Sequence, residues 1–103
     1  MVRTQEIENK IKNEIYNFFA EECGVELSDL NNDTDIIADI DGDSLMFLQL
    51  LECWKKEYSL DIEFRLIGKY ITKNPVTTLG KAVDLALTII CDKEAFLETV
   101  RNQ

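Results

Sequence analysis

The sequence predicts an all-α fold, a small helical bundle. Apolar residues recur at spacings of three and four in several stretches, the pattern of helices that bury one face. The chain of 103 residues has one proline and four glycines, too little punctuation for the many turns of a β-sandwich. Its 46% apolar content suffices for one core and excludes a wholly disordered chain. A single domain is expected over 1–103, with its core at about 4–91 and a C-terminal extension over 92–103.

The first helix is expected over 4–23. Ile7, Ile11, Ile15 and Phe18 form its apolar stripe, flanked by Val2 and Phe19. Thr4 is the expected cap, and Gly24 the stop in the left-handed conformation. A long connection follows over 25–43. It carries Glu26, Asp29, Asp33, Asp35, Asp39, Asp41 and Asp43, with no lysine or arginine. It also carries Val25, Leu27, Leu30, Ile36, Ile37 and Ile40, more aliphatics than a solvated linker needs. The expectation is an ordered loop pinned to the core, with a short turn at 27–30; long ordered loops are often functional.

The second helix is expected over 44–57. Phe47, Leu50, Trp54 and Tyr58 make its stripe, widened by Leu48 and Leu51. Gln49, Glu52, Lys55 and Lys56 fall on the outer face, and the two lysines complement the helix dipole. Leu45 and Met46 are expected to stay exposed, a contact surface at the helix start. Over 59–75, Leu60, Ile62 and Phe64 alternate like a strand, whereas Phe64, Ile67 and Ile71 fit a short helix. A lone strand has no partner in this chain, so a helix over 63–72 is expected, broken at Asn74-Pro75.

The next helix is expected over 78–91, with Leu79, Ala82, Val83, Ala86, Leu87 and Ile90 inward and Thr77 or Thr78 as cap. Gly80 weakens it slightly. A last short helix over 92–103 has Asp92 as cap and Phe96, Leu97 and Val100 as its apolar side.

Composition removes several function classes. No histidine is present, so Ser-His-Asp and Cys-His catalysis and histidine metal sites are excluded. Cys23, Cys53 and Cys91 are widely spaced and odd in number. They read as small core residues in a reducing compartment rather than as a disulfide framework or zinc site. The net charge of −9 disfavours nucleic acid and anionic membrane and favours basic protein surfaces. Glu6 and Glu8 lie where a signal peptide needs apolar residues, and no apolar run approaches the roughly 18 residues of a membrane span. A cytoplasmic monomer is expected.

The aspartate-rich loop does not fit a calcium-binding EF-hand. With Gly42 at loop position six, Ile37 and Leu48 stand where carboxylates are required. No resident metal is expected. Gly42-Asp43-Ser44-Leu45-Met46 lacks the second glycine of a hydrolase nucleophile elbow.

Ser44 lies where the acidic loop becomes the second helix. A serine there can cap the helix, or it can carry a phosphodiester at the positive end of the helix dipole. The residues leave both readings open. The order of elements, with Asp43-Ser44-Leu45, the spacing of Leu50, Trp54 and Tyr58, Asp33-Thr34-Asp35 before the junction and Val76-Thr77-Thr78-Leu79 after it, resembles the acyl carrier protein family. The resemblance runs over about 7–90 and implies an acyl-carrier-like bundle of three long helices and a short third one, with the C-terminal helical tail as an addition.

The resemblance implies a non-catalytic carrier. Ser44 would hold a covalent 4′-phosphopantetheine arm, and Asp43 would help hold the Mg²⁺ used in its transfer. Leu45, Met46, Gln49 and Glu52 would face partners: a phosphopantetheinyl transferase and acyl-loading and acyl-transfer enzymes of fatty acid, lipid or polyketide-type biosynthesis. The alternatives are an aminoacyl or peptidyl carrier and a non-carrier acidic helical adaptor. Phe47, Ile67 and Ile71 are candidates to line a space for the cargo.

The chain departs from the family pattern in several places. Asp41 stands where the family commonly has glycine. Met46 and Gln49 replace acidic residues of the fatty acid carriers, and Lys55 and Lys56 reverse two more. Arg65, Lys69 and Lys73 occupy a usually acidic stretch. A specialised rather than a housekeeping carrier is the expectation.

Overall fold

The chain is seen here as a computed structural model that describes residues 2–102, with Ser44 described in its backbone only. Among the described residues the architecture is all-helical: α1 (Gln5–Cys23), α2 (Ser44–Glu57), α3 (Phe64–Lys73), α4 (Leu79–Cys91) and α5 (Lys93–Arg101), with a short 3₁₀ turn at Leu27–Asp29. The helical reading of the ambiguous segment after α2 holds, because Ile67 and Ile71 both reach the core from one face.

The helix ends follow local chemistry. Thr4 accepts the Ile7 N–H on its hydroxyl at 3.2 Å, and Gly24 closes α1 at φ 68°. Thr78 caps α4 through the Lys81 N–H at 3.2 Å. Asp92 stands at the cap position of α5, but its side chain makes no capping bond there.

α1 packs on α4, α4 on α5, and α2 on α3. Ile11, Ile15, Phe19, Phe47, Leu51, Ile67, Leu79, Leu87, Ile89 and Phe96 form the fully enclosed centre of one continuous core. The tail helix is part of that core, since Phe96 stacks edge-on against Tyr70 of α3 at 5.4 Å between ring centres. Its start is tied to the α2–α3 connection by an ion pair between Lys93 and Asp61.

The three cysteines, all expected in the core, divide. Cys23 and Cys91 are half-buried against the core, whereas Cys53 is exposed on α2. Its position follows from the α2 stripe: Leu50, Leu51 and Trp54 take the inner face, which turns residue 53 outward. Met46 is also corrected: it is half-buried and packed against the core, because it lies one turn before Leu50. Leu45 remains exposed as expected.

The loop that positions the start of α2 is moored by backbone bonds. Ile36 donates to the Thr77 carbonyl at 2.9 Å, Leu79 donates to Thr34 at 3.1 Å, and Gly80 donates to Asn32 at 2.9 Å. Asp35 and Thr78 form an isolated antiparallel bridge at the same place. Tyr16 of α1 donates its hydroxyl to the Asn32 side chain from the other side. Thr34, Leu30, Ile36 and Ile40 are buried. The aliphatics of the loop thus do what the sequence suggested, apart from Leu27 and Ile37, which are exposed.

Candidate attachment site at the start of the second helix

α2 begins at Ser44, and the residue that caps it is Asp43. The Asp43 carboxylate accepts the N–H of Leu45 at 2.8 Å and of Met46 at 3.1 Å, both on Oδ1. The capping role open to Ser44 therefore falls one residue earlier, and Ser44 is the first helical residue. An aspartate is a strong cap, and its charge suits the positive helix end. The exposure of the Ser44 side chain lies outside the described residues. Its neighbours Asp43 and Leu45 are both exposed.

The approach to Ser44 is built from one left-handed backbone position and one closely packed glycine. Asp41 adopts φ 62°, the left-handed conformation that favours glycine. Aspartate tolerates it better than most residues, which explains how the chain does without a glycine there. Gly42 lies against the core instead. A Cβ on it would fall 3.0 Å from the Ile36 Cγ2 and 3.3 Å from the Cys23 Sγ. The Gly42 N–H donates to the Ile36 carbonyl at 2.7 Å, which fixes the junction to the moored loop.

The remaining site residues of the sequence reading lie on α2. Gln49 and Glu52 are exposed, with Leu45 on the same helix, while Met46 contributes only a partly covered side chain. Burial pushes the nearby Cys23 thiol up, helped by the charges of Glu22, Asp41 and Asp43. From 13 to 54 no lysine or arginine occurs, so the field around the junction is negative. Among the described residues no group of acidic or cysteine side chains has the geometry to hold a metal ion. No described helix is long and apolar enough to cross a membrane.

The three candidates to line a cargo space are all interior residues. Phe47, Ile67 and Ile71 are packed into the core. An open groove of about 540 Å³ lies between α3, α4 and α5, with Tyr70, Val76, Leu85 and Phe96 among its lining and Lys73, Lys81 and Asp84 at its charged positions.

Comparison with known proteins agrees with the geometry. The phosphopantetheine attachment site family matches residues 13–72, which include the whole junction and all of α3 but its last residue. An acyl carrier protein homolog of Clostridium acetobutylicum is 49% identical over 80 residues, spanning 78% of this chain and 78% of that protein. An acyl carrier protein of Picosynechococcus sp. is 31% identical over 81 residues, spanning 79% of this chain and 88% of that protein.

Proposed function

Since this chain belongs to the acyl carrier proteins, non-catalytic carriers whose cofactor is covalent 4′-phosphopantetheine, we propose that Ser44 is its attachment residue. The observation that carries this reading is the Asp43 cap. It makes Ser44 the first residue of α2 and gives the capping role to the residue before it, so the fold does not need the serine as a cap. A phosphodiester at that position is stabilised by the helix dipole.

In the transferase, the Ser44 Oγ attacks the phosphorus that bears the pantetheine in coenzyme A. An O–P bond forms, the pyrophosphate bridge breaks, and adenosine 3′,5′-bisphosphate leaves. The hydroxyl proton passes to a base of the transferase. Asp43 uses Oδ1 for its two backbone bonds, and Oδ2 is the oxygen it would offer to the transferase's Mg²⁺. When attached, the arm supplies a terminal thiol on which acyl groups ride as thioesters. The chain itself contributes the anchor, the negative surround and the docking residues Leu45, Met46, Gln49 and Glu52. Tethering raises the effective concentration of cargo at each docked enzyme.

The cargo we infer is acyl, delivered to enzymes of fatty acid, lipid or polyketide-type biosynthesis, in a dedicated rather than a housekeeping role. Support comes from the sign of the surface beyond the junction. Lys55, Lys56, Arg65, Lys69 and Lys73 are all exposed, and Lys55 sits over the Phe64 ring at 5.6 Å, where α2 meets α3. A partner selected for a uniformly acidic carrier meets repulsion there.

Co-expression with a promiscuous phosphopantetheinyl transferase tests the attachment. Intact mass rises by about 340 Da, the weight of the added group, and Ser44→Ala abolishes the gain. Modification of Ser44→Ala, or none of the wild type by several transferases, overturns the reading. Full replacement of the host's main carrier in a fatty acid elongation assay overturns the dedicated role.

A further inference from the structure

The frame around Ser44 contains the same small device twice. Asp43 accepts on Oδ1 the N–H groups of the residues two and three positions later, Leu45 at 2.8 Å and Met46 at 3.1 Å. Asp35 does the same eight residues earlier: its Oδ1 accepts from Ile37 at 2.9 Å and from Ala38 at 2.8 Å. In each copy the residue two positions after the aspartate is a large aliphatic turned outward, Leu45 at 66% exposure and Ile37 at 58%.

Ile37 is not exposed through slackness. Its neighbour Ile36 is fully buried, which turns residue 37 away from the core. The turn is further braced by Asp39, which accepts the Asp35 N–H on its carboxylate at 2.8 Å and donates its own N–H to the Asp35 carbonyl at 2.9 Å. The two copies are locked together by the Gly42–Ile36 backbone bond at 2.7 Å. A large aliphatic held outward on a braced turn lacks the burial that Ile36 and Ile40 of the same loop obtain, and presents apolar area that a partner can cover.

The surround specifies that partner's chemistry. Asp33, Asp39, Asp41 and Asp43, in the same loop as Ile37 and leading into the helix of Leu45, are exposed, and no cation occurs from 13 to 54. The complementary face is an apolar recess bordered by lysine and arginine. We propose that Ile37 is a second apolar anchor, paired with Leu45, by which the phosphopantetheinyl transferase grips this carrier while it loads Ser44. The inference rests on Ser44 being the attachment residue.

The test is the steady-state kinetics of arm transfer from coenzyme A by a transferase that modifies the wild-type chain. Ile37→Ala raises KM for the carrier about tenfold, the loss expected for one well-placed anchor, and leaves kcat within about twofold. Leu45→Ala does likewise, and Ile37→Met restores the wild-type KM. Val2→Ala, which trims a still more exposed aliphatic, at 78% exposure before α1, changes nothing. Circular dichroism and the melting temperature of Ile37→Ala match the wild type, as they should for a surface truncation.

An unchanged KM for Ile37→Ala beside an impaired Leu45→Ala overturns the proposal. So does self-association of the wild type that Ile37→Ala abolishes, which would assign the pair to a second copy of the chain. A wild-type chain that accepts no arm from any transferase defeats the Ser44 reading itself, a result distinct from either of these.

Discussion

Gly80 and Asn32 touch backbone to backbone: the Gly80 N–H donates to the Asn32 carbonyl at 2.9 Å, and a Cβ on Gly80 would lie 2.9 Å from that same oxygen. The contact moors the acidic loop to the first turn of α4. Helix propensity alone says that alanine at 80 gains about 1 kcal/mol. The close approach reverses the sign. Gly80→Ala is expected to destabilise the fold by about 1–3 kcal/mol, the cost of forcing backbone apart. Gly68 in α3 has nothing within 4 Å of its Cβ position. Gly68→Ala should stabilise by about 0.5–1 kcal/mol. Urea denaturation of both variants checks the opposite signs.

Asp41 holds φ 62° immediately before the junction. Asp41→Gly removes whatever strain remains and leaves stability within about 0.5 kcal/mol of wild type. Asp41→Val puts a branched side chain in that conformation and should cost about 1–2 kcal/mol. Thermal melts of the pair separate the conformational requirement from the loss of charge, since both remove the carboxylate.

Asp43 caps α2, and the proposed attachment at Ser44 gives it a second role, an oxygen for Mg²⁺; substitution can divide the two. Asp43→Ala loses the cap and about 1 kcal/mol of stability. Asp43→Asn keeps the cap, because asparagine caps as well as aspartate, so its melting temperature stays near wild type. It lacks the charge offered to Mg²⁺, and arm transfer to it should require more Mg²⁺. A magnesium titration of the modification rate, read by intact mass, distinguishes the two.

Glu14 sits half-buried between α1 and α2, with its Oε2 enclosed and without a hydrogen-bond partner among the described residues. Burial raises its pKa above the ordinary 4.5, Glu57 raises it further, and hydrogen bonding to Trp54 only partly opposes the shift. Between 4.5 and the raised value the folded chain binds more protons than the unfolded one. Stability therefore falls as pH rises through that window, and the ionised carboxylate is a cost at neutral pH. Glu14→Gln should stabilise by about 0.5–1 kcal/mol at pH 7 and flatten the pH dependence. Chemical denaturation across pH 4 to 7 measures both effects.

Much of this was legible before the structure. The helices follow from apolar spacing, and Thr4, Gly24 and Thr78 cap as their chemistry dictates. The loop's burial followed from its aliphatics. What escaped were facts that depend on contacts distant in sequence. Gly80 looked like a mild helix weakness because Asn32, far away in the chain, is invisible to helix propensity. The cap of α2 was open because serine and aspartate are both good caps at adjacent positions, and only backbone geometry chooses between them. Cys53 was read as core from its apolar neighbours, when its angular position on α2 turns it outward. The repeated aspartate device is hidden in the sequence because the outward aliphatics look like ordinary core residues in a linear string.

The hydrogen bonds from Ile36, Leu79 and Gly80 that hold the loop all involve residues at 77–80, beyond the 13–72 stretch that the family shares. A fragment trimmed to that shared stretch would keep the serine and its flanking residues yet lose the ropes that hold the platform steady. Grafting the short segment into another protein would therefore transplant an address without the doorframe around it.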